Sequence, residues 1–460
     1  MKDKILTQIL NLKVGLKELL PIALPIFISQ AIDVVMVFSD RFFLAQLGKE
    51  ELAATLSGGM ILYVFSTLIV GMLGQITSLV GQYRGAGFMH KAIQTVHQGI
   101  FISIVIGFLF VFFSKEFAPL LLDFFGHELS LSTKELEYYS ILSFSIVTVS
   151  IRTSLASFFV GVERTKIVTL AAFVAVVINL PLTYVLVFGE FGFPKLGIQG
   201  AALGTVVAGL FPIIILTIKF YSKEFRIKFK TNTIIKLKTD IMYKLLRYGL
   251  PSGIEMSANV SGFLFFTMVM YSYSGDVAAA TTIVLNWDMV CFVPLLGIGQ
   301  AVSGQVGKYL GEKNRQSALR SAYSALCFGW IYSICITITY FTLNYYLVKL
   351  FMPLGGVYSF QNVAVYAEAM LKISCLYFLF DSTYSILGGI LKGSGDTIWP
   401  MFISNIMMWA CAIFVYHLKN NYGFGPLISW WALTAMVLCL GILYFRRFLQ
   451  KKWLDRLMIN

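Results

Sequence analysis

The chain is built around twelve apolar stretches, each long enough to cross a lipid bilayer as a helix. A spanning helix needs about 20 mostly apolar residues, and the connections between these stretches are short and rich in Gly, Pro and charged residues. The predicted spans are 20–46, 53–82, 93–114, 137–162, 166–188, 197–221, 246–273, 277–307, 322–350, 366–391, 397–417 and 425–446. The sequence therefore predicts an all-α integral membrane protein with twelve transmembrane helices.

The composition excludes an ordinary soluble domain. Of the 460 residues, 58% are apolar and 13% are charged, whereas a soluble domain carries about 25% charged residues. The six cysteines lie in apolar stretches without a CxxC pair, and the four histidines lack HExxH spacing. These patterns indicate neither a disulfide framework nor a zinc site, and no resident cofactor is expected.

The basic residues are distributed unevenly along the chain. There are 36 Lys and Arg against 23 Asp and Glu, a net charge of +13. If the N-terminus is cytoplasmic, 27 of the basic residues fall in inside segments, 6 in outside loops and 3 within spans. This asymmetry is typical of membrane topology signals. It predicts cytoplasmic N- and C-termini, and binding to nucleic acid is not needed to explain the charge.

An internal repeat divides the chain into two halves. VGQYRGAG (80–87) recurs as VGKYLGEK (306–313), and Pro25 matches Pro251 at the same offset. Six spans per half is an even number, so both halves keep the same orientation in the membrane. The sequence thus predicts two six-helix bundles related by a pseudo-two-fold axis along the membrane normal, as in transporters that rock two bundles around a central site.

The predicted division is an N-terminal bundle (1–222), a basic cytoplasmic linker (223–245) and a C-terminal bundle (246–460). Two interpretations of the linker stay open. It either connects the bundles while lying on anionic lipid, or it forms a dedicated regulatory site.

Ionisable residues inside the spans are functional candidates, because inserting each one at mid-helix costs about 2.5–3.5 kcal/mol. Five acids and three bases qualify: Asp33, Asp40, Arg41, Arg152, Glu255, Asp288, Lys372 and Asp381. Lys372 lies near a span end, where its side chain can reach the interface.

Asp33 and Asp40 are seven residues apart in SQAIDVVMVFSDRFF (29–43), so they share one helix face. Either acid could be structural, neutralised by Arg41 or Arg152, or it could serve an ion or substrate. For Arg152 the sequence leaves an ion-pair partner and a cavity charge equally open.

Asp381, in YFLFDSTYSILGG, is the strongest single candidate of the second half. A carboxyl among large apolar groups favours its neutral form, as a proton-coupled carrier requires. The alternative is a neutral acid that bonds a neighbouring helix. Asp288, in VLNWDMV, is either a cavity-lining acid or a hydrogen-bonded structural one.

Several motifs together resemble the multidrug and toxic compound extrusion (MATE) family, over residues 20–446. They are LPIFISQ followed by FSDRFFLAQLGKEELAA, VGQYRGAG, NLPLTYVLVFGEFG, LGIQGAALGTVV, GLPSGIE, VGKYLGEK and LKGSGDT. The resemblance implies a twelve-helix antiporter that exports organic cations in exchange for inward H⁺ or Na⁺. This coupling ion is the only ion that the transporter is expected to need.

The resemblance also implies particular residues. The family's coupling positions fall on Asp40, Asn179 and Thr205 in the first half and on Asp381 and Tyr377 in the second. Asp40 and Asn179 would be the ligands of a coupling Na⁺.

At two positions this chain lacks an acid that many family members use to bind cations. Many members have an acid where this chain has Thr183, and many drug exporters have a glutamate where it has Asn259. Glu255, one turn before Asn259, could replace that glutamate. We therefore expect the substrate cavity to be formed by Gln30, Asp33, Arg152, Glu255, Asn259 and Asp288.

The expected protein is a monomeric exporter in the plasma (inner) membrane whose partners are organic cations and the lipid bilayer. The main alternative is a flippase-like exporter of lipid-linked oligosaccharides from the same superfamily. Such a protein needs a basic cavity for phosphates, whereas here the intramembrane acids outnumber the bases. No nucleophile-and-base or metal-ligand spacing indicates an enzyme.

Overall fold

The computed structural model describes residues 2–124, 129–232, 236–352 and 357–459. Within these ranges the chain forms seventeen α-helices and one 3-10 turn, Lys452–Asp455. The helices are α1 Lys2–Leu47, α2 Lys49–Gly74, α3 Ile76–Gly85, α4 Met89–Phe124, α5 Leu129–Leu142, α6 Ser145–Gly161, α7 Lys166–Phe188, α8 Gly197–Ala208, α9 Leu210–Phe220, α10 Lys223–Phe229, α11 Thr239–Tyr271, α12 Gly275–Gly311, α13 Arg315–Lys349, α14 Val357–Ser374, α15 Phe378–Ser394, α16 Ile398–Asn420 and α17 Pro426–Leu449.

The helices confirm the prediction of an all-α membrane protein. In the described residues, eleven helical segments are long and apolar enough to span a membrane alone. The segments Phe360–Ser374 and Phe378–Ser394, within α14 and α15, are long and apolar enough only as a pair, and this pair is bent by 55° at its break. The predicted span 366–391 is therefore broken rather than straight. The break carries two successive i→i−3 hydrogen bonds, from Leu376 and Tyr377, which tighten the turn.

The two halves of the chain meet along a seam formed by α1, α2 and α3 on one side and α11, α12 and α13 on the other. Repeat-related glycines make reciprocal contacts in this seam. A Cβ placed on Gly81 would lie 2.5 Å from the carbonyl oxygen of Gly304, and one on Gly307 would lie 2.8 Å from that of Ser78. Such reciprocity is the pattern of a two-fold axis. It agrees with the predicted pseudo-symmetry, while the domain boundaries at 222 and 246 stay predictions.

Both chain ends lie on one face of the molecule, which we call the termini face. There Glu18 accepts a hydrogen bond from Tyr309, near the end of α12, and Met458 donates one to Gln82, near the end of α3. Among the described residues, the hydrogen bonds that join the two halves begin at this face. The one farthest from it is between Ser257 and Val64, about halfway along their helices. The halves are thus joined on the termini side.

The basic segment after α9 is held by two aromatic side chains. Phe225 and Phe229 of α10 are buried and pack against Phe158. Ile227, between them, is 72% exposed. The segment is therefore anchored to the first half, and its contact with anionic lipid stays a prediction.

Candidate functional site

A cavity of about 130 Å³ lies in the first half and is lined by residues of α1, α2, α6, α7 and α9. Its polar lining includes Ser29, Gln30 and Thr153, and Gln300 of α12 adds a side chain from the second half. The volume is large enough for the charged end of a drug-sized molecule rather than for the whole molecule.

Two opposite charges of this cavity are bound to each other. Arg152 Nη1 donates to Asp33 Oδ1 at 2.9 Å, and Nη2 donates to Oδ2 at 3.1 Å. This is the parallel two-bond geometry that makes arginine–carboxylate pairs strong. The side chains of Arg152 and Asp33 remain 27% and 28% exposed. Both interpretations of Arg152 therefore hold, because it is an ion-pair partner and a cavity charge at once.

A second acid of the first half, Asp40, is buried between α1 and α8. Thr205 Oγ1 donates a hydrogen bond to Asp40 Oδ2 at 2.7 Å. Nearby, Asn179 Nδ2 donates to Thr183 Oγ1 at 3.2 Å, and both of these side chains interact with the Asp40 carboxyl. Within the described residues, Oδ1 of Asp40 and Oδ1 of Asn179 are buried without a hydrogen-bond donor. The three residues that the resemblance implied, together with Thr183, thus form one cluster with two unsatisfied oxygens.

Arg41 does not neutralise Asp40. Its side chain is exposed, and in the described part of the chain it forms no ion pair with the neighbouring acid. Asp33 and Asp40, although close on one helix, therefore have separate partners on α6 and α8.

The second half holds an acid cluster at the break between α14 and α15. Tyr377 Oη donates to Asp288 Oδ2 at 2.6 Å, and Asp288 Oδ1 is buried without a donor among the described residues. Asp381, one turn after Tyr377, is partly exposed and interacts electrostatically with Asp288. Over the described ranges, its carboxyl has neither a hydrogen bond nor a basic partner. The broken helix thus places Tyr377 and Asp381 next to an acid of α12.

Glu255 and Asn259 are engaged elsewhere in the second half. Glu255 Oε2 lies 3.0 Å from Lys392 Nζ and forms an ion pair with it. Asn259 Nδ2 donates to Asn405 Oδ1 at 3.0 Å. Lys392, which the sequence did not single out, compensates Glu255 from α15. No local sequence pattern predicts this pair, because the two residues are distant in sequence.

Among the described residues, no group of three or more His, Cys, Asp or Glu side chains could hold a metal ion. The sequence predicted Asp40 and Asn179 as ligands of Na⁺. They lie together and offer one carboxyl group and one amide group. The carboxyl of Asp40 is suited to a proton, and the two free oxygens together are suited to a hard monovalent cation.

Known proteins match this chain along nearly its whole length. The MatE family profile matches residues 25–185 and 251–417. The chain is 27% identical over 403 residues to the multidrug resistance protein NorM of Vibrio cholerae, with 86% of this chain and 85% of that protein covered. It is 23% identical over 446 residues to the probable multidrug resistance protein NorM of Thermotoga maritima, with 96% and 94% covered.

The fold is that of a solved structure described as the outward-facing conformation of a multidrug resistance MATE family transporter of the MOP superfamily. The TM-score is 0.85, with 16% identity, and the match covers 95% of this chain and 96% of that one. The fold, the seam between two repeated halves and a family profile that matches more than half of the sequence lead to one conclusion: this chain belongs to the MatE family of membrane transporters, which are not enzymes.

Proposed function

We propose that the protein is a secondary active antiporter that exports lipophilic organic cations from the cytoplasm in exchange for inward H⁺ or Na⁺. The observation that carries this proposal is the acid cluster of the second half. Asp381 and Asp288 have no basic partner among the described residues, so a cationic cargo can supply the missing charge. The relatives named for multidrug resistance support export of drug-like small molecules.

The proposed mechanism is alternating access of the two halves. We assign the termini face to the cytoplasm, because the basic residues concentrate in the segments on that side. The seam is joined on this side, so the state described here is closed to the cytoplasm. An ion arriving from outside at Asp40 or Asp381 cancels charge that holds the cargo. Moving one charge inward down 100 mV supplies about 2.3 kcal/mol.

The cluster around Asp40 suits the coupling ion rather than the cargo. Its two buried oxygens without donors, on Asp40 and Asn179, can serve as ligands of a small positive species. A proton would satisfy Asp40 alone, whereas Na⁺ would also use the amide oxygen and the hydroxyls of Thr183 and Thr205.

We place the protein in the plasma (inner) membrane as a monomer. We do not favour the alternative, a flippase for lipid-linked oligosaccharides. That cargo needs free basic groups for its phosphates, and Arg152 is already bound by Asp33.

The test is dye efflux in everted vesicles with separate pH and Na⁺ jumps. Asp40→Asn should uncouple transport from the ion gradient, because the neutral amide cannot exchange a proton and binds Na⁺ poorly. Glu190→Gln is the matched control, since Glu190 is an exposed acid outside the spans. Full gradient-driven efflux in the Asp40 variant would make that acid structural, and absence of efflux in the wild-type protein would overturn the proposed function.

A further inference from the structure

The segment that follows α17, residues 451–459, turns back towards the seam on the termini face. Lys451 adopts a left-handed backbone conformation, with φ at 57°, between the end of α17 and the 3-10 turn. Two side chains of this segment, Trp453 and Met458, are each only 1% exposed. Burial of this degree is typical of a packed element rather than of a loose extension.

The first part of the segment is tied to the second half. The indole ring of Trp453 stacks on Phe448 of α17 with centroids 5.5 Å apart, and its Nε1 donates to the carbonyl oxygen of Phe448 at 3.1 Å. Trp453 and Leu454 belong to a core cluster that is built mainly from the second half. Arg456 Nη1 donates to Asp396 Oδ1, in the turn after α15, at 2.7 Å.

Met458, two residues further on, contacts both halves. It belongs to the core cluster of the first half. Its backbone N–H donates to Gln82 Oε1 at 2.8 Å, and its sulfur accepts from Gln75 Nε2 at 3.3 Å. On its other side lies Gly395, at the end of α15, where a Cβ would overlap the side chain of Met458. Met458 is thus inserted between α3 of the first half and α15 of the second.

The two glutamines join the halves at the same place. Gln75 Nε2 donates to the carbonyl oxygen of Lys392 at 2.7 Å, and Gln82 Nε2 donates to that of Gly393 at 3.1 Å. Both glutamines are almost fully buried, and buried amide groups need their hydrogen-bond partners. If Met458 left while the seam stayed closed, Gln82 Oε1 would lose its donor. Release of Met458 and opening of the seam, which admits water, therefore favour each other.

We propose that residues 456–459 form a latch that stabilises the state closed on the termini face. The latch is tied to the second half by Arg456, and it binds the first half through Met458. These contacts with the first half exist only while α3 and α15 are close, and a contact made in one of two states shifts the equilibrium towards that state. The inference deepens the proposed function, on which it rests for the alternation between two states.

Two single variants weaken the latch at different points. Met458→Ala removes the side chain that lies between the halves. Arg456→Gln removes a tie to the second half, and Asp396 keeps its two hydrogen bonds from Arg447, so this buried carboxylate stays compensated. Lys452→Ala is the control, because Lys452 is an exposed cation of the same segment.

Two cysteine reporters, each in a chain whose native cysteines are replaced by alanine, measure whether the seam opens. Ser78→Cys reports on the part of the seam near the latch, where Ser78 is buried against Ser303. Ser321→Cys reports on another part, on α13. There Ser321 is 2% exposed and donates to Gln305, which donates in turn to the carbonyl oxygen of Glu18 in α1.

A third reporter measures general loosening of the fold. Ser154 is fully buried inside the first half, where its hydroxyl lies 3.1 Å from that of Ser103. Separation of the halves does not change the interior of either half. The labelling rate of Ser154→Cys should therefore stay the same in a variant that only opens the seam.

The measurement is the rate of maleimide labelling of the purified full-length protein in detergent, without cargo and without an ion gradient. Met458→Ala and Arg456→Gln should each raise the rates of Ser78→Cys and of Ser321→Cys roughly fivefold, because each removes contacts that stabilise only the closed state. Lys452→Ala should leave all rates unchanged. If Met458→Ala does not fold, Arg456→Gln carries the test, because it changes an exposed side chain.

Three other outcomes would each overturn the latch. If only Ser78→Cys is labelled faster, the segment covers that site and does not hold the seam. If Ser154→Cys is also labelled faster, the variant loosens the fold instead of opening the seam. If no rate changes, the segment has no role in closure. All three leave the proposed export untouched. Conversely, faster labelling of both seam reporters in a protein that exports no dye would support the latch and overturn the proposed function.

Discussion

The two halves of the molecule each hold one acid that is bonded by a hydroxyl group. Asp40 accepts from Thr205 at 2.7 Å in the first half, and Asp288 accepts from Tyr377 at 2.6 Å in the second. In both acids the other oxygen is buried without a donor among the described residues. In this respect the halves are alike.

They differ in their second acid. Asp33 is held by Arg152 through two hydrogen bonds, whereas Asp381 has no basic partner within the described ranges. A guanidinium that is already bound must be displaced before a foreign cation can bind, and this displacement costs free energy. Because Arg152 occupies Asp33 and Lys392 occupies Glu255, Asp381 remains an acid that is available to a cationic cargo.

The largest effect is expected from Asp381→Asn. Loss of one partner of a buried charge pair costs about 2–5 kcal/mol, so efflux of a plain cation should fall by a factor of roughly thirty or more. The measurement is efflux of the rhodamine B ethyl ester in everted vesicles, with the amount of inserted protein held equal.

The matched variant for the first half is Asp33→Asn with Arg152→Gln, which removes a carboxylate together with its partner. This double variant should retain most of the ester efflux. Equal losses in the two variants would contradict the distinction between the halves.

The second prediction concerns stability. Arg152→Gln alone leaves Asp33 without a partner, and we expect it to destabilise the protein by about 1–3 kcal/mol. This is less than for a fully buried pair because both side chains are partly exposed. Asp33→Asn/Arg152→Gln should be closer to the wild type than either single variant. The check is the Tm of the purified protein in detergent, and purely additive shifts would argue against coupling.

The third prediction compares the two hydroxyl groups. Thr205→Val and Tyr377→Phe each remove one hydrogen bond to an acid, at a cost of about 1.5–3 kcal/mol. We expect Thr205→Val to shift the pH or Na⁺ dependence of efflux, because Asp40 serves the ion, and Tyr377→Phe to raise the apparent KM for the cation. Thr282→Val, at an exposed position of α12, is the control. The separation of roles fails if both variants change the same parameter.

The last pair of variants should have the same effect in the two halves. Gly81→Ala or Gly307→Ala puts a methyl group against a backbone carbonyl across the seam. Such overpacking lowers the free energy of unfolding by about 1–3 kcal/mol. Because the two contacts are reciprocal, the shifts in Tm should be similar. Gly74→Ala, where a Cβ meets nothing within 4 Å, should be neutral. A large difference between Gly81→Ala and Gly307→Ala would show that the seam is not symmetric.

The sequence predicted the spans well, because the length of an apolar run reports directly on the membrane that it crosses. The one exception is the tenth span, where the break before Phe378 contains no proline and therefore leaves no local signal. For the site, the family resemblance picked out Asp40, Asn179 and Thr205, which the structure brings together. Their role in ion coupling stays a prediction.

The pairing of charges could not be predicted in this way. The sequence left Arg152 open between an ion-pair partner and a cavity charge, and it did not indicate Lys392 as the partner of Glu255. Asp33 and Arg152 are 119 residues apart. Whether they meet depends on how α1 and α6 are rotated and packed against each other, which no local pattern records.

By itself, the sequence determined that this is an all-helical, repeated membrane protein whose few intramembrane acids must have a use, because inserting a charge into lipid is costly. Only the tertiary structure decided which of those acids are already neutralised and which are available. The physical reason is that burial is a property of one residue and its helix, whereas compensation of a buried charge needs a second residue that only packing can bring within hydrogen-bonding distance.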